Sequence, residues 1–227
     1  MAIELSEVVP WGRSYLEYCQ MFDLQSQQLE LSMLGIGDGP ASFNCQLTRR
    51  GGKIVSADPL YAYSTDQIRR RIDEVYENIM EQTRRNQSSF TWRAPLENVE
   101  ALGELRMSAM REFLQDYLVG RREGRYVAAS LPSLPFTDRQ FQLAVCSHLL
   151  FLYTEQLGAE FHLASLLELC RVADEVRVFP LVQLDGSRSH LIDPALAALR
   201  EMGRCTEIIV VPYEFQRGAN QMLRIWQ

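Results

Sequence analysis

A doubly wound α/β sheet is the fold class predicted by these 227 residues, on three observations. Short apolar runs alternate with longer amphipathic stretches. The first clear run ends abruptly in a glycine cluster, Gly35-Ile36-Gly37-Asp38-Gly39. The chain closes on two apolar runs, 207–211 and 221–226, around a polar turn. Such alternation packs as a mostly parallel sheet with helices on both faces.

Each element follows from its own pattern. Between positions 8 and 24, Trp11, Tyr15, Tyr18, Met21 and Phe22 include a three-and-four spacing that predicts a short amphipathic helix ahead of the main fold. The run 29–36 is a strand, 40–50 a helix stopped by Gly51 and Gly52, and 53–57 a second strand ending at Asp58-Pro59. That is a β-α-β unit, with a right-handed crossover by default. Over 64–85, Ile68, Ile72, Val75, Ile79 and Met80 line one face, and Ser64 or Thr65 offers an N-cap. A second helix is predicted over 96–118, carrying Val99, Leu102, Leu105, Ala109, Met110, Phe113 and Tyr117. The 67 residues between Asp58 and Tyr126 far exceed the roughly dozen that a β-α-β connection needs, so 62–124 holds an inserted helical element.

Strand character returns at 125–129 and again at 143–146, the latter with the unbroken apolar look of a strand buried on both faces. A helix over 155–173, a strand over 175–179 and a helix over 193–202 follow. The last of these takes Asp193 as its cap and Pro194 at its first position. The expected organisation is one domain over 1–227, with 1–28 as an N-terminal helical segment or lid.

Composition narrows the function. The chain is 47% hydrophobic and 23% charged, as expected of an ordinary globular protein. A formal net charge of -6 disfavours non-specific phosphate binding and makes nucleic acid an unlikely partner. Arg69-Arg70-Arg71, Arg84-Arg85 and Arg121-Arg122 are read as solvated helix faces, the first two groups interleaved with Asp66, Asp73, Glu74, Glu77 and Glu81. No apolar run is long enough to span a bilayer, and the first residues lack the form of a signal peptide, which gives a cytoplasmic address by default. Cys19, Cys45, Cys146, Cys170 and Cys205 are scattered and odd in number, so neither a disulfide framework nor a metal site is expected.

The glycine cluster carries the chemistry. Where a strand turns into a helix, glycines permit tight backbone angles and close approach to a ligand, and the helix N-terminus beyond offers free N–H groups. Asp58, 21 residues after Gly37, ends the next strand, where a carboxylate accepts hydrogen bonds from ribose hydroxyls or, alternatively, caps the turn that follows. A dinucleotide fingerprint needs Gly or Ala three residues after the second glycine. Counting from Gly35 that place is Pro40, and counting from Gly37 it is Ser42. Both frames miss.

The G-x-G-x-G that is present resembles motif I of the class I S-adenosylmethionine (SAM) dependent methyltransferases. Val55-Ser56-Ala57-Asp58-Pro59 resembles the ribose-binding strand end of that family. Leu134-Pro135-Phe136, followed by Phe141 to His148, resembles its stretch through the fourth strand, and the closing strand pair resembles its antiparallel hairpin. The likeness covers most of the chain from Leu29 onward, apart from the inserted helices. It implies a Rossmann-like, doubly wound seven-stranded sheet, SAM as cofactor and a small-molecule methyl acceptor, with the quinone-biosynthesis branch the nearest in character. It also implies cofactor contacts from Gly35, Ile36, Gly37, Asp38, Gly39, Asp58, Pro59, Ser130, Leu131 and Ser147.

Two positions depart from the family pattern. The acid expected two residues before the first glycine is Met33, and the acid expected after the third strand is Ser130. No Asn/Asp-Pro-Pro-Tyr/Phe motif follows the fourth strand, which argues against methylation of amino groups on DNA bases. His148, directly after that strand, is the candidate proton acceptor, or else a histidine bonded within its loop. Trp11, Arg13, Tyr15 and Tyr18 form either a cover over the cofactor or a packed N-terminal helix. Tyr61 sits near the adenine or at the core rim, and Arg217 in the last turn is a candidate substrate contact. The alternative to catalysis is a SAM-binding regulatory or partner protein with a degenerate site, for which Met33 is the main support.

Overall fold

The computed structural model describes residues 9–227. Val8 and the residues before it, where the first helical segment was expected to begin, lie outside the described residues. Seven strands form one sheet: β1 (Ser32–Ile36), β2 (Lys53–Ala57), β3 (Tyr126–Val127), β4 (Phe141–Ser147), β5 (Ala173–Phe179), β6 (Cys205–Val210) and β7 (Gln221–Trp226). Their order is β3-β2-β1-β4-β5-β7-β6. The first five run parallel, and β7 pairs antiparallel with both β5 and β6. Strand order reverses between β1 and β4, the place where an open α/β sheet forms a ligand crevice.

Both faces of the sheet are covered, and the alternation of side chains decides which residue serves which face. Leu34 and Ile36 of β1 join Ala144, Cys146, Val176 and Val178 in one core, beneath α6 (Thr154–Val172) and α7 (Ile192–Glu201). Met33 points the other way. With Leu143 and Val145 it packs against Tyr18, Met21 and Phe22 from the N-terminal segment, and against Phe43 and Leu47. That second layer is built from α1 (Tyr15–Met21), α2 (Ser26–Leu29) and α3 (Phe43–Arg49).

The helix boundaries have local causes. Ser14 caps α1 in a reciprocal capping box with Glu17, so the helix starts at Tyr15 although aromatic residues begin at Trp11. Position 40 does not begin α3, because Ala41 N–H bonds back to Asp38 and Ser42 N–H donates to the carbonyl of Arg13 at 3.0 Å. The backbone of the N-terminal segment thus closes the entry of α3. At α7 the expected Asp193 cap is corrected: Leu191 occupies the N-cap, while the Asp193 carboxylate accepts two hydrogen bonds from Arg188 at 2.9 and 2.8 Å.

The inserted element is a helix pair, α4 (Thr65–Arg85) and α5 (Val99–Arg122). The buried stripe of α4 holds Ile68, Ile72, Val75, Ile79 and Met80, the face its sequence predicts, with Thr83 added. Gly103 permits the close packing, since a Cβ there would lie 2.5 Å from the Tyr76 hydroxyl and 2.8 Å from Met80 Cε. Further along α5, Phe113 and Tyr117 join Tyr61 and Tyr126 in an aromatic cluster that ties the pair to the edge of the sheet. Beyond α4 the chain is strapped to the β6–β7 connection. Thr91 N–H donates to Phe215 at 2.7 Å, Arg217 N–H donates to Ser89 at 2.9 Å, and Phe90 stacks on Phe215 with ring centres 4.6 Å apart.

Candidate active site at the carboxyl ends of β1, β2 and β4

The turn after β1 has the backbone its glycines predict. Gly37 and Gly39 adopt φ of 67° and 50°, in the left-handed region that other residues enter at a cost. A Cβ on Gly39 would meet nothing within 4 Å, and the residue borders a cavity of about 320 Å³. The turn is held from two sides. Tyr61 Oη donates to the carbonyl of Gly39 at 2.8 Å, and Gly39 N–H donates to Asp58 Oδ2 at 2.9 Å.

Of the two roles open to Asp58 the structure shows the turn cap, and the same carboxylate also holds the glycine turn. Oδ1 accepts from Leu60 N–H at 2.8 Å, which caps the short 3-10 turn Pro59–Ala62, while Oδ2 braces the glycine turn. A carboxylate has about four acceptor positions, so two remain beside the cavity that Asp58 and Pro59 border. Burial pushes the Asp58 carboxyl up from its ordinary value, against the two backbone N–H groups that hold it charged.

Asp38 faces inward. Its Oδ1 accepts from Tyr18 Oη at 2.8 Å and its Oδ2 from Ser56 Oγ at 2.5 Å. Ser56 is the register partner of Gly35 on β2, which puts the hydroxyl beside the turn. Burial raises the Asp38 carboxyl to about 6 despite these donors, and the nearby Asp58 charge pushes in the same direction.

Opposite Asp58, the end of β4 supplies Ser147 and His148. The His148 N–H donates to Phe179 of β5 at 2.8 Å, and its Nδ1 lies 2.9 Å from Ser147 Oγ. His148 takes a φ of 52°, so its place is imposed by its surroundings. Burial, then the charges of Arg13 and Arg106, hold its imidazole well below the usual histidine range. The ring is therefore neutral at neutral pH, and the same burial and cations make it a weak base.

Those arginines, Arg106 buried and Arg13 half-buried, belong to one polar cluster. Arg106 Nη1 donates to Glu17 Oε2 at 2.6 Å, and Tyr213 Oη donates to Glu17 Oε1 at 2.9 Å. Burial works against the Glu17 charge, but Arg106 and Arg13 outweigh it and bring its carboxyl down to about 2. Arg13 borders the cavity with Trp11, Tyr18 and Tyr213. An apolar wall completes the enclosure: Ile79 and Leu102 from the inserted helices, Phe90, Leu184 and Phe215.

The cavity thus brings together Trp11, Arg13, Tyr18, Gly37, Asp38, Gly39, Asp58, Pro59, Ser147 and His148 among the residues singled out in the sequence. The others stand apart from its lining. Gly35 and Ile36 end β1 beneath the turn, and Ser130 is exposed, bridged to Ser133 beside a buried Leu131. Tyr15 packs on Phe43 under the guanidinium of Arg50 and borders a second cavity. Tyr61 is core, reaching the site through its hydroxyl alone, and Arg217 is exposed with Nε donating to Ser88. Among the described residues, no cluster of three side chains is placed to hold a metal ion, and no helix is long and apolar enough to cross a membrane.

The fold is similar to that of the mitomycin 7-O-methyltransferase MmcR, with a TM-score of 0.50 at 11% identity, over 94% of this chain and 53% of that one. The chain has the class I SAM-dependent methyltransferase fold. Strand order, parallel core and closing antiparallel pair all agree with that assignment. The magnesium protoporphyrin IX methyltransferase ChlM of Synechocystis PCC 6803, solved with bound SAM, matches at 13% identity and a TM-score of 0.47, over 92% of this chain and 79% of that one. An uncharacterized protein of Methanocaldococcus jannaschii is 28% identical over 225 residues, 98% of each chain. No family model matches.

Within this methyltransferase fold, sequence reasoning missed the residues that meet across long separations. Glu17 and Arg106 lie 89 positions apart, and Glu17 and Tyr213 lie 196 apart. Neither pairing leaves a local signal. Asp38 carried one, in the small residue at Gly35 and the hydroxyl at Ser56, though only register and rotamer turn that into a contact. Met33 is 1% exposed beneath α1, so an acid at that position would be a charge buried among apolar side chains.

Proposed function

We propose that the protein transfers a methyl group from SAM to a small-molecule acceptor. The observation that carries the reading is the glycine turn, with its left-handed Gly37 and Gly39 and the braced Asp58, opening onto one cavity that also holds His148. The fit is favourable: the missing side chain of Gly39 leaves the backbone open to a ligand, and Asp58 keeps two acceptor positions for a pair of ribose hydroxyls.

Bound SAM supplies a methyl group made electrophilic by its sulfonium. An acceptor's nucleophilic atom would take that methyl, with S-adenosylhomocysteine as the leaving group. The chain's contribution is largely orientation and exclusion of water. Trp11 borders the cavity, and an indole is suited to a cationic centre. His148, bordering the cavity and close to Ser147, orients an acceptor hydroxyl and takes its proton as methylation makes that proton acidic enough for a weak base. The apolar wall from the inserted helices and Phe215 suits an aromatic acceptor, in keeping with the quinone-biosynthesis character of the sequence. A cytoplasmic location goes with such an activity.

A second reading, binding without turnover, is favoured by the core placement of Met33, which leaves the usual anchoring acid without a counterpart at that position. The two are separated by incubating the protein with SAM labelled in its methyl group and a pool of small-molecule phenols, thiols and amines. Methyl transfer predicts label in a small product and stoichiometric S-adenosylhomocysteine. Binding alone predicts retained cofactor and no labelled product.

A further inference from the structure

The polar cluster beside His148 holds more positive charge than it balances. Arg13 uses Nη1 on the carbonyl of Trp11 at 2.9 Å, while its buried Nε has no partner. Arg106 is 0% exposed, pairs with Glu17 through Nη1, and leaves Nε and Nη2 without partners. Two guanidinium groups therefore face one carboxylate. Burial and Arg106 both disfavour the Arg13 charge, and Glu17, Tyr213 and Tyr18 only partly offset them. A buried cation without a full counter-charge is costly unless an anion completes it, and a guanidinium matches a carboxylate in both geometry and charge.

We propose that the methyl acceptor is an apolar carboxylic acid whose carboxylate docks on Arg13, with its hydrocarbon body against Ile79, Leu102, Phe90 and Phe215. This rests on the methyl-transfer reading above. The surroundings of Arg13 assign the anion to the acceptor: it borders the cavity with an unpartnered Nε and shares one carboxylate, Glu17, with Arg106, whereas the glycine turn already carries the carboxylates of Asp38 and Asp58. A neutral His148 beside the docked carboxylate adds no competing positive charge.

The test uses calorimetric titration of 2-naphthoate and 2-naphthamide into wild type, Arg13→Gln and Arg13→Lys, with and without saturating S-adenosylhomocysteine. Thermal melts of each variant confirm that it is folded. The expected result is naphthoate binding at least tenfold tighter than naphthamide in wild type. That preference should vanish in Arg13→Gln and largely persist in Arg13→Lys, with S-adenosylhomocysteine affinity unchanged. Equal binding of acid and amide overturns the proposal. So does a loss of S-adenosylhomocysteine affinity in Arg13→Gln with the acid preference intact, which would give Arg13 to the cofactor's own carboxylate. If S-adenosylhomocysteine binds to no form of the protein, the methyl-transfer reading fails, and an acid preference in the cofactor-free protein still supports the anion subsite.

Discussion

The carboxylate of Asp38 occupies the place that a side chain on Gly35 would take: a Cβ there would lie 1.9 Å from Asp38 Oδ2. The first glycine of the turn is thus required by a carboxylate three residues later. Gly39 is required for a different reason, since its Cβ would be free of neighbours but would project beside the cavity on a left-handed backbone. Two substitutions separate these roles. Gly35→Ala should cost about 1–3 kcal/mol through overpacking, seen as a lowered melting temperature. Gly39→Ala should cost roughly 1–2 kcal/mol from the backbone alone and also weaken S-adenosylhomocysteine binding. Equal stability of Gly35→Ala and wild type would contradict the collision.

Asp38 predicts a pH dependence of stability. Its folded-state carboxyl is raised to about 6 from an ordinary 3.8, so the folded form holds the proton more tightly than the unfolded chain. The stabilisation is fully present below about 3.8 and is lost as the pH rises through about 6. Urea unfolding of wild type and Asp38→Asn between pH 4 and 7 checks this. The wild type should lose stability relative to the variant across that window, and parallel profiles would exclude the buried carboxyl as the cause.

Glu17 has the opposite sign. Its carboxyl is lowered to about 2, so the stability it contributes is present above its unfolded value near 4.5 and is lost as the pH falls through about 2. Removing one partner strands a buried charge. Glu17→Gln or Arg106→Met should each cost about 3–5 kcal/mol, and the double substitution less than their sum. Additive losses in a double-mutant cycle would contradict the pairing.

How much of this was legible in the chain varies with the range of the interaction. The bounds of β2 and β7 and the buried face of α4 follow from local pattern, because a period of two or of 3.6 is written in neighbouring residues. The glycine turn and Asp58 were legible for the same reason: their geometry needs particular residues at fixed spacing. Asp193 misled, since a good capping residue was taken by Arg188, and β4 extends past its apolar run because pairing with β5 continues to Ser147. The Glu17–Arg106–Tyr213 cluster was invisible. Nothing in the sequence near any of the three says that folding will bring them together.

His148 should stay neutral well into acid. Its imidazole is held below the usual 6.5 by burial and then by Arg13 and Arg106, so its NMR titration midpoint should fall below that value in wild type. Removing one cation in Arg13→Gln should move the midpoint upward. A midpoint at or above 6.5 in wild type, or one unmoved in the variant, would contradict the arrangement of charges around the ring.

The most direct measurement is calorimetric titration of S-adenosylhomocysteine, SAM and NAD into wild type and Asp58→Ala, with Asp58→Asn as a control for the turn that Asp58 caps. A carboxylate accepting two ribose hydroxyls contributes roughly 1.5–3 kcal/mol, so the alanine variant should lose about 10-fold to 100-fold in affinity for the first two ligands. Binding of NAD alone, or S-adenosylhomocysteine binding that is indifferent to Asp58, would contradict the assignment of this cavity as a SAM site.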